Sequence, residues 1–167
     1  MTGTISDILD NSEIVFLKNL YEKLENTESY KHRNLICTRV KTLKHYGNTV
    51  EWLPPKATLE PNDERMWLSI ESKLDSVYKS EPVAHYFVQY QAGSYAKTHK
   101  DRVPNTLVTI VNTSEDLKGG STVLIVDKIP IILHPQTGKT LSYSNYTIHG
   151  VSKITSGSRL VLVSWYN

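Results

Sequence analysis

The chain has 167 residues, of which 39% are hydrophobic and 22% are charged, and its formal net charge is +2. These values predict one folded domain, and the mild charge argues against nucleic acid or an anionic membrane as the main partner. Its one cysteine, Cys37, excludes an internal disulfide, and no secretory signal or membrane-spanning apolar run is apparent, so we expect a cytoplasmic location.

The first half of the chain is predicted to contain two amphipathic helices. The segment 11–26 begins with Asn11 or Ser12 as a candidate N-cap and repeats apolar residues at helical spacing. The segment 61–80 begins at Pro61 and carries acidic residues in its first turn. Its apolar stripe consists of Trp67, Ile70, Leu74 and Val77. Both helices are expected to pack against a sheet.

Residues 30–60, between these helices, contain a basic stretch and a proline-rich segment. The basic stretch consists of Lys31, Arg33, Arg39, Lys41 and Lys44. It is either a patch for a polyanionic substrate or the solvated face of one or two strands, and the scarcity of aromatic residues favours the second. Residues 46–62 contain Gly47 and several prolines and predict a long loop, of the kind that often binds or covers a ligand.

From residue 83 onward, short segments rich in β-branched and aromatic residues alternate with turn residues. The predicted strands are 83–90, 106–112, 121–127, 129–134, 139–145 and 158–166. Short strands after helices predict an α+β fold in which helices cover one face of a β-barrel or sandwich. We therefore expect a single domain over 1–167, with mostly helical support plus loop in 1–82 and the β-barrel core with the site in 83–167.

Two histidines and an aspartate form a candidate metal site. His99 and Asp101 are two residues apart, so at a strand end their side chains project to one side. This pair alone is a weak signal and is also compatible with two exposed loop side chains. His149 is the candidate third ligand, rather than His134, because Arg159 follows it ten residues later. Two histidines and one carboxylate leave three metal positions open, as in non-haem Fe(II) oxygenases.

Arg159 is predicted to face the interior of the barrel. It shares one face of the last strand with Val161, Val163 and Trp165. A guanidinium among apolar side chains requires an anion, and its planar fork suits a carboxylate. That anion is a bound ligand or, alternatively, a carboxylate of the protein itself.

The second half of the chain resembles the Fe(II)/2-oxoglutarate-dependent dioxygenases, and within them the prolyl 4-hydroxylase-like branch. The resemblance covers residues 83–166 and is carried by YQAGSYAKTHKD (90–101), LVTIVNTSEDLKGGST (107–122) and PQTGKTLSYSNYTIHGVSKITSGSRLVLVSW (135–165). The shared features are a tyrosine and a glycine before H-x-D, a Gly-Gly pair before a strand, and H-G-V with a basic residue ten positions after the histidine. The resemblance implies a double-stranded β-helix core, that is, a cupin-like jelly roll.

The resemblance also implies roles for individual residues. His99, Asp101 and His149 would hold Fe(II), and Arg159 would pair with the distal carboxylate of the cosubstrate 2-oxoglutarate. The further cosubstrate-pocket residues would be Tyr90, Thr109 and Trp165, although Tyr90 is alternatively a packed strand aromatic. O2 is the other implied cosubstrate, ascorbate is a further implied cofactor, and no catalytic acid or base is implied beyond the metal site.

The implied reaction is the hydroxylation of a C–H bond, foremost of a prolyl residue in a peptide or protein, with release of succinate and CO2. The expected partner is a proline-containing peptide or protein, with nucleic acid disfavoured and no membrane. One alternative is the same chemistry on a nucleobase or a free amino acid, for which the basic stretch is the only support. The other is a non-catalytic β-barrel binding module, against which the complete ligand set and Arg159 argue.

Overall fold

The computed structural model describes residues 3–46, 49–53 and 59–167, with the backbone alone for 42–46 and 49–53. The helices are α1 (Asn11–Glu28) and α2 (Pro61–Tyr78). The strands are β1 (Thr4–Ser6), β2 (Ser29–His32), β3 (Leu35–Tyr46), β4 (Thr49–Leu53), β5 (Pro82–Tyr90), β6 (Ala96–His99), β7 (Asn105–Thr113), β8 (Thr122–Val126), β9 (Ile129–Leu133), β10 (Thr140–Ser144), β11 (Ile148–Val151) and β12 (Arg159–Tyr166). Neither of the two helices is long and apolar enough to cross a membrane.

The strands form two antiparallel sheets. The larger sheet has the order β1-β10-β7-β12-β5-β3-β2, with β4 paired to β3, and the smaller has the order β6-β11-β8-β9. Apolar side chains of both sheets pack into one cluster that includes Val88, Val163 and Leu124. This arrangement confirms the predicted α+β fold with a jelly-roll core.

The larger sheet is buried on both faces. On β12, Val161 and Val163 point into the cluster between the sheets, whereas Leu160 and Leu162 point into a second cluster under the helices. This separation follows from the alternation of side chains along a strand. The helices contribute to the second cluster through Leu17, Leu20, Leu24, Ile70 and Leu74.

Both helices form where they were predicted, with corrections at their ends. The N-cap of α1 is Asp10, not Asn11 or Ser12, because Asp10 accepts a hydrogen bond from the Glu13 amide and the Glu13 carboxylate accepts one from the Asp10 amide. Such a capping box satisfies two otherwise free amides at the helix start. In α2, Pro61 occupies the first turn as predicted, but Val77 is 40% exposed and lies outside the buried stripe.

The long loop predicted for residues 46–62 is wrong where the structure describes it. Tyr46 ends β3, residues 49–53 form β4 paired with β3, and Pro61 begins α2. Residues 47–48 and 54–58 lie outside the described residues. The β-branched and aromatic residues of 49–53 favour a strand, and the prolines come only after it. The structure thus adds β1 and β4 to the two helices and the one or two strands expected in residues 1–82.

Acidic residues of the helices neutralise part of the basic stretch. Arg39 Nη2 lies 3.0 Å from Glu28 Oε2, and Lys41 Nζ lies 2.8 Å from Glu71 Oε1. Both carboxylates are buried. The hypothesis of one continuous patch for a polyanion therefore does not hold for Arg39 and Lys41, whose partners come from the two helices on either side of the basic stretch.

Candidate metal centre

Three side chains that can bind a metal meet between the two sheets. His99 ends β6 and lies directly opposite His149 on β11, and Asp101 follows β6. The Nε2 atoms of both histidines are 3.4 Å from Oδ1 of Asp101. An ion about 2.1 Å from each ligand atom requires those atoms to be roughly 3.0–3.4 Å apart. The structure therefore brings the three predicted residues together at a spacing that fits one ion.

Gly150 allows β6 and β11 to approach each other at this point. A Cβ atom at residue 150 would lie 2.7 Å from the Ala96 carbonyl oxygen and 3.0 Å from the Thr98 amide nitrogen. Any side chain there would push β6 away from β11, and with it His99 away from His149. The close approach of β6 and β11 thus requires a residue without a side chain directly after His149.

Backbone carbonyls orient the two imidazoles. His99 Nδ1 is 2.7 Å from the Lys97 carbonyl oxygen, and His149 Nδ1 is 3.0 Å from the Thr147 carbonyl oxygen. A carbonyl oxygen only accepts, so Nδ1 of each ring carries the proton. Each Nε2 is then the unprotonated nitrogen that a metal requires.

A hydroxyl group orients the carboxylate. Thr106 Oγ1 donates a hydrogen bond of 2.7 Å to Oδ2 of Asp101, which leaves Oδ1 facing both imidazoles. Burial raises the pKa of Asp101, but the neighbouring His149 imidazole and the hydrogen bond from Thr106 more than offset this effect, and the pKa lies below its ordinary value. The carboxyl group is therefore ionised at neutral pH, as a metal ligand must be.

Arg159 is a buried cation in the same inter-sheet space. It is 1% exposed, and it donates to the Gly120 carbonyl oxygen over 2.5 Å and to Thr122 Oγ1 over 3.1 Å. Its Nε has no hydrogen-bond partner among the described residues, and no described carboxylate forms an ion pair with it. Burial lowers its pKa, yet a guanidinium stays charged in proteins. The alternative of a protein carboxylate as its partner is therefore not observed in this part of the chain.

Two tyrosines lie between the metal-binding residues and Arg159. Tyr90 is directly opposite Arg159 on the neighbouring strand, and its ring centroid is 5.4 Å from the guanidinium carbon. The Tyr143 ring centroid is 4.2 Å from that of His149. Burial raises the pKa of both hydroxyl groups, although the charge of Arg159 acts in the opposite direction. Both tyrosines are consequently neutral near pH 7 and can donate hydrogen bonds.

Trp165 lies on the same face of β12 as Arg159, as its sequence parity predicts. Its ring packs against Tyr86 with centroids 5.0 Å apart and an interplanar angle of 76°. Its indole Nε1 is buried and has no partner among the residues that the structure describes. Trp165 thus forms part of the wall on the barrel side of the larger sheet.

Thr109 lies on the opposite face of that sheet, so its predicted contact with the cosubstrate carboxylate is wrong. It is paired with Leu162, a residue of the cluster under the helices, and its hydroxyl is 2.9 Å from that of Thr140. Its neighbours Val108 and Ile110 face the barrel interior instead. The pairing of β7 and β12 shifts register between Leu160 and Val161, and such a shift is not apparent in the sequence.

Sequence reasoning missed several polar residues of this site. Thr122 contacts Arg159 in place of Thr109, and Thr106 and Tyr143 contact or approach the metal-binding residues. Leu124 is opposite His149 on β8, so Thr122, two residues earlier, shares its inward face. The alternation within β8 could therefore have identified Thr122 once β8 and β11 were known to be neighbours.

Comparisons with known proteins agree with this geometry. No protein-family model and no curated protein sequence matches the chain. Among solved structures, the chain is similar to an oxidoreductase of the 2OG-Fe(II) oxygenase family from Burkholderia pseudomallei, with a TM-score of 0.77 and 14% identity over 99% of this chain and 84% of that chain.

Two further similar structures are prolyl hydroxylases. One is a prolyl-4-hydroxylase from Pseudomonas putida, with a TM-score of 0.68 and 15% identity over 99% of this chain and 92% of that chain. The other, from Trichoplax adhaerens, is in complex with a hypoxia inducible factor oxygen degradation domain peptide fragment, with a TM-score of 0.72 and 11% identity over 99% of this chain and 83% of that chain. The chain therefore has the fold of the 2OG-Fe(II) oxygenases, with prolyl hydroxylases among its structural neighbours, and the resemblance seen in its sequence is confirmed at the level of the fold.

Proposed function

We propose that this protein is an Fe(II)- and 2-oxoglutarate-dependent dioxygenase that hydroxylates a C–H bond of a peptide or protein, foremost at a prolyl residue. The observation that carries the proposal is Arg159, a buried guanidinium without a described carboxylate partner, in the same space as three ligand atoms at metal-binding distances. A buried cation of this kind is stabilised by a bound anion. The open metal positions beside it account for a cosubstrate that is both a carboxylate and a metal chelator.

The residues present fit Fe(II) as the metal. His99, Asp101 and His149 supply two neutral imidazole nitrogens and one ionised carboxylate oxygen. When bound, the iron supplies the oxygen chemistry, in which O2 and 2-oxoglutarate convert a substrate C–H group to C–OH with release of succinate and CO2. The protein itself holds the ligand atoms in place and requires no separate acid or base for this reaction.

The residues around Arg159 fit the distal carboxylate of 2-oxoglutarate. The guanidinium retains its unsatisfied Nε–H, and the Thr122 hydroxyl, which accepts from Arg159, has its own proton free to donate. The neutral hydroxyl groups of Tyr90 and Tyr143 lie on the same face of the larger sheet. Together these groups surround a negative charge with donors in a dry space, where each hydrogen bond to an anion is strong.

The exposure of the site favours a chain-like substrate. The His99 side chain is 50% exposed, whereas those of Asp101 and His149 are 9% and 7% exposed. The site therefore reaches the surface at His99, in a region that we call the barrel mouth (residues 97–105 and 144–148). Sites for small molecules bury most of the ligand surface. A shallow site is better suited to one residue of a peptide or protein, and the prolyl hydroxylases among the structural neighbours support proline as that residue.

Thermal unfolding with metal and cosubstrate tests the proposal. Mn(II) replaces Fe(II) to prevent turnover, and a ligand that binds only the native state raises the melting temperature by mass action. We expect 2-oxoglutarate to stabilise the wild type only when metal is present, and Arg159→Ala to lose this effect. Lys139→Ala serves as a control, because Lys139 pairs with Asp7 on the surface. The absence of any shift with metal and 2-oxoglutarate in the wild type would contradict the proposal.

Turnover then tests the prolyl substrate. With Fe(II), O2 and 2-oxoglutarate, proline-containing peptides are expected to gain the mass of one oxygen atom in proportion to the succinate formed. The matched control is the same peptide with alanine in place of proline. Succinate formation without modification of any proline-containing peptide would leave the oxygenase proposal intact and overturn the prolyl substrate.

A further inference from the structure

The barrel mouth carries positive charge that the described part of the chain does not neutralise. Lys97, Lys100 and Arg102 lie within two residues of His99 or Asp101, and their side chains are exposed. None of the three takes part in an ion pair among the described residues. Asp101, the acid in their midst, turns its carboxylate inward to the imidazoles. These three cations are therefore available to a partner at the site entrance.

The turn between β2 and β3 carries two further exposed cations, near the start of β6. Its residue Asn34 accepts hydrogen bonds from Ser94 Oγ (2.8 Å) and from the Tyr95 amide (2.7 Å), which attaches the turn to the segment that leads into β6. Lys31 and Arg33 are exposed on this turn and the strand before it. We refer to the three exposed basic residues beside the metal-binding side chains as the mouth cations: Lys97, Lys100 and Arg102. They carry three positive charges in a chain whose net charge is +2, so the remainder of the chain is net acidic.

Apolar side chains lie beside these cations. Tyr146 is 83% exposed and Ile148 is 36% exposed, in and after the turn between β10 and β11. The Asn145 amide donates to the Pro104 carbonyl oxygen over 2.9 Å, which holds this turn against the segment that contains Arg102. The entrance thus combines an unpaired basic surface with an exposed aromatic and aliphatic surface.

We propose that the mouth cations recognise acidic residues that flank the reacting residue of a peptide substrate. This inference rests on the proposed function for the reaction, but the binding preference does not depend on turnover. An extended peptide advances about 3.3 Å per residue, so acids two or three residues from the reacting residue reach side chains around the entrance. The apolar surface of Tyr146 is available to a neighbouring hydrophobic residue of the same peptide.

An acidic peptide fits this charge pattern better than a nucleic acid. The chain as a whole has a net charge of only +2 and a sequence pI of about 8.5. Proteins that bind nucleic acid through the phosphate backbone generally carry a larger basic surface. A nucleic acid is therefore treated below as a competing outcome.

The test measures the binding of three labelled peptides to the Mn(II)- and 2-oxoglutarate-loaded protein by fluorescence anisotropy. The peptides share a central proline and differ only at the positions two and three residues away on each side, which are all Glu, all Gln or all Lys. We expect the Glu peptide to bind roughly tenfold more tightly than the Gln peptide, and the Lys peptide to bind most weakly. Added salt should reduce these differences.

Reversing the charge of two entrance lysines should invert the order of peptide affinities, a result that damage to the fold cannot produce. In Lys97→Glu/Lys100→Glu, the preference should invert, so that the Lys peptide binds more tightly than the Glu peptide. The matched control is Lys18→Glu/Lys118→Glu, which changes the net charge equally at exposed lysines on α1 and in the 114–121 connection. The control should keep the wild-type order of the three peptides.

The possible outcomes separate this inference from the proposed function. Equal binding of the three peptides, or an unchanged order in Lys97→Glu/Lys100→Glu, overturns the recognition of acids. So does a single-stranded oligonucleotide that displaces the Glu peptide at a lower concentration than unlabelled Glu peptide does. With Fe(II) in place of Mn(II), oxidation of all three peptides at equal rates would agree with the proposed oxygenase function and contradict the charge preference. Selective binding of the Glu peptide without oxidation of its proline would keep the recognition of acids and overturn the prolyl substrate of the proposed function.

Discussion

The two faces of the larger sheet both bury ionisable side chains, but the charges of the groups around these side chains differ. On the helix face, His85 is fully buried, its Nδ1 is 2.8 Å from Ser164 Oγ, and its Nε2 is 3.6 Å from a Glu71 carboxylate oxygen. On the barrel face, Arg159 is equally buried but contacts only neutral oxygens of Gly120 and Thr122. The chain itself supplies acids on the helix face, whereas on the barrel face no described residue supplies a countercharge for Arg159.

This difference distinguishes a structural polar cluster from a binding site. Burial alone does not separate the two, because His85 and Arg159 are both almost without exposure. The charge of the neighbouring groups separates them, since a buried cation among neutral acceptors is only partly compensated. The following experiments test whether the two faces really differ in this way.

The largest effect is expected for Arg159→Met. Methionine removes the unpaired buried charge, so the ligand-free protein should keep its stability or gain about 1 kcal/mol. The affinity for 2-oxoglutarate should fall by about a hundredfold or more, because the countercation is lost. Urea unfolding and isothermal titration of the Mn(II)-loaded protein measure the two quantities. A strong destabilisation without ligand would show that Arg159 has a structural partner.

On the helix face, Glu71→Ala should have the opposite pattern. Glu71 is buried, it pairs with Lys41, and it lies beside His85. Its removal should lower the free energy of unfolding by about 2 kcal/mol, because Lys41 loses this hydrogen-bonded ion-pair partner. The affinity for 2-oxoglutarate should stay at the wild-type value. A matched change in both quantities would mean that the two faces are coupled.

Thr106→Val tests the orientation of the metal-binding carboxylate. Valine keeps the shape of threonine but cannot donate to Oδ2 of Asp101, so the carboxylate is free to rotate. The Mn(II) affinity should fall roughly tenfold, as for other residues that orient metal ligands. Thr106→Ser retains the hydroxyl group and should restore most of the affinity. Equal Mn(II) affinities in the two variants would show that the Thr106 hydroxyl does not orient the Asp101 carboxylate for metal binding.

The pH dependence of stability tests the burial of His85. Burial, with a further contribution from Lys41, lowers its pKa from 6.5 to about 3, and Asp75, Glu71 and Tyr166 are the other ionisable groups around it. Since the unfolded state binds the proton first, stability should be lost as the pH falls from about 6.5 towards 3, by up to about 1.4 kcal/mol per pH unit. In His85→Gln, unfolding free energies at pH 7, 5.5 and 4.5 should show a smaller slope. Identical slopes would contradict a neutral buried His85.

Much of the fold and the central site residues could be predicted from local sequence patterns. Short runs rich in β-branched and aromatic residues indicated six of the eight strands described in the second half, without β6 and β11. Side-chain alternation placed Arg159 on the inward face of β12. The spacing of His99, Asp101 and His149 indicated a common metal site, which the structure brings together. These features depend on the geometry of a single strand, or on motifs that recur as a unit.

Other features depend on which strands become neighbours, and local patterns do not contain this information. The face of Thr109 is set by a register shift against β12, and the contact of Thr122 with Arg159 joins residues 37 positions apart. The acids that neutralise Arg39 and Lys41 likewise come from separate helices. Strand β4 was missed because nearby glycine and prolines outweighed its short β-branched run.

The position of β6 at the edge of the smaller sheet has a consequence for metal loading. In the described residues, β6 pairs with β11 alone, while β11 has β8 on its other side. His99 ends β6 and Asp101 follows it, so fraying of this one short strand removes two of the three ligand atoms together. An ion bound by His99, Asp101 and His149 would hold the edge strand β6 against its inner neighbour β11. Release of the metal and opening of the edge are then a single event, and amide hydrogen exchange in β6 reports the metal affinity.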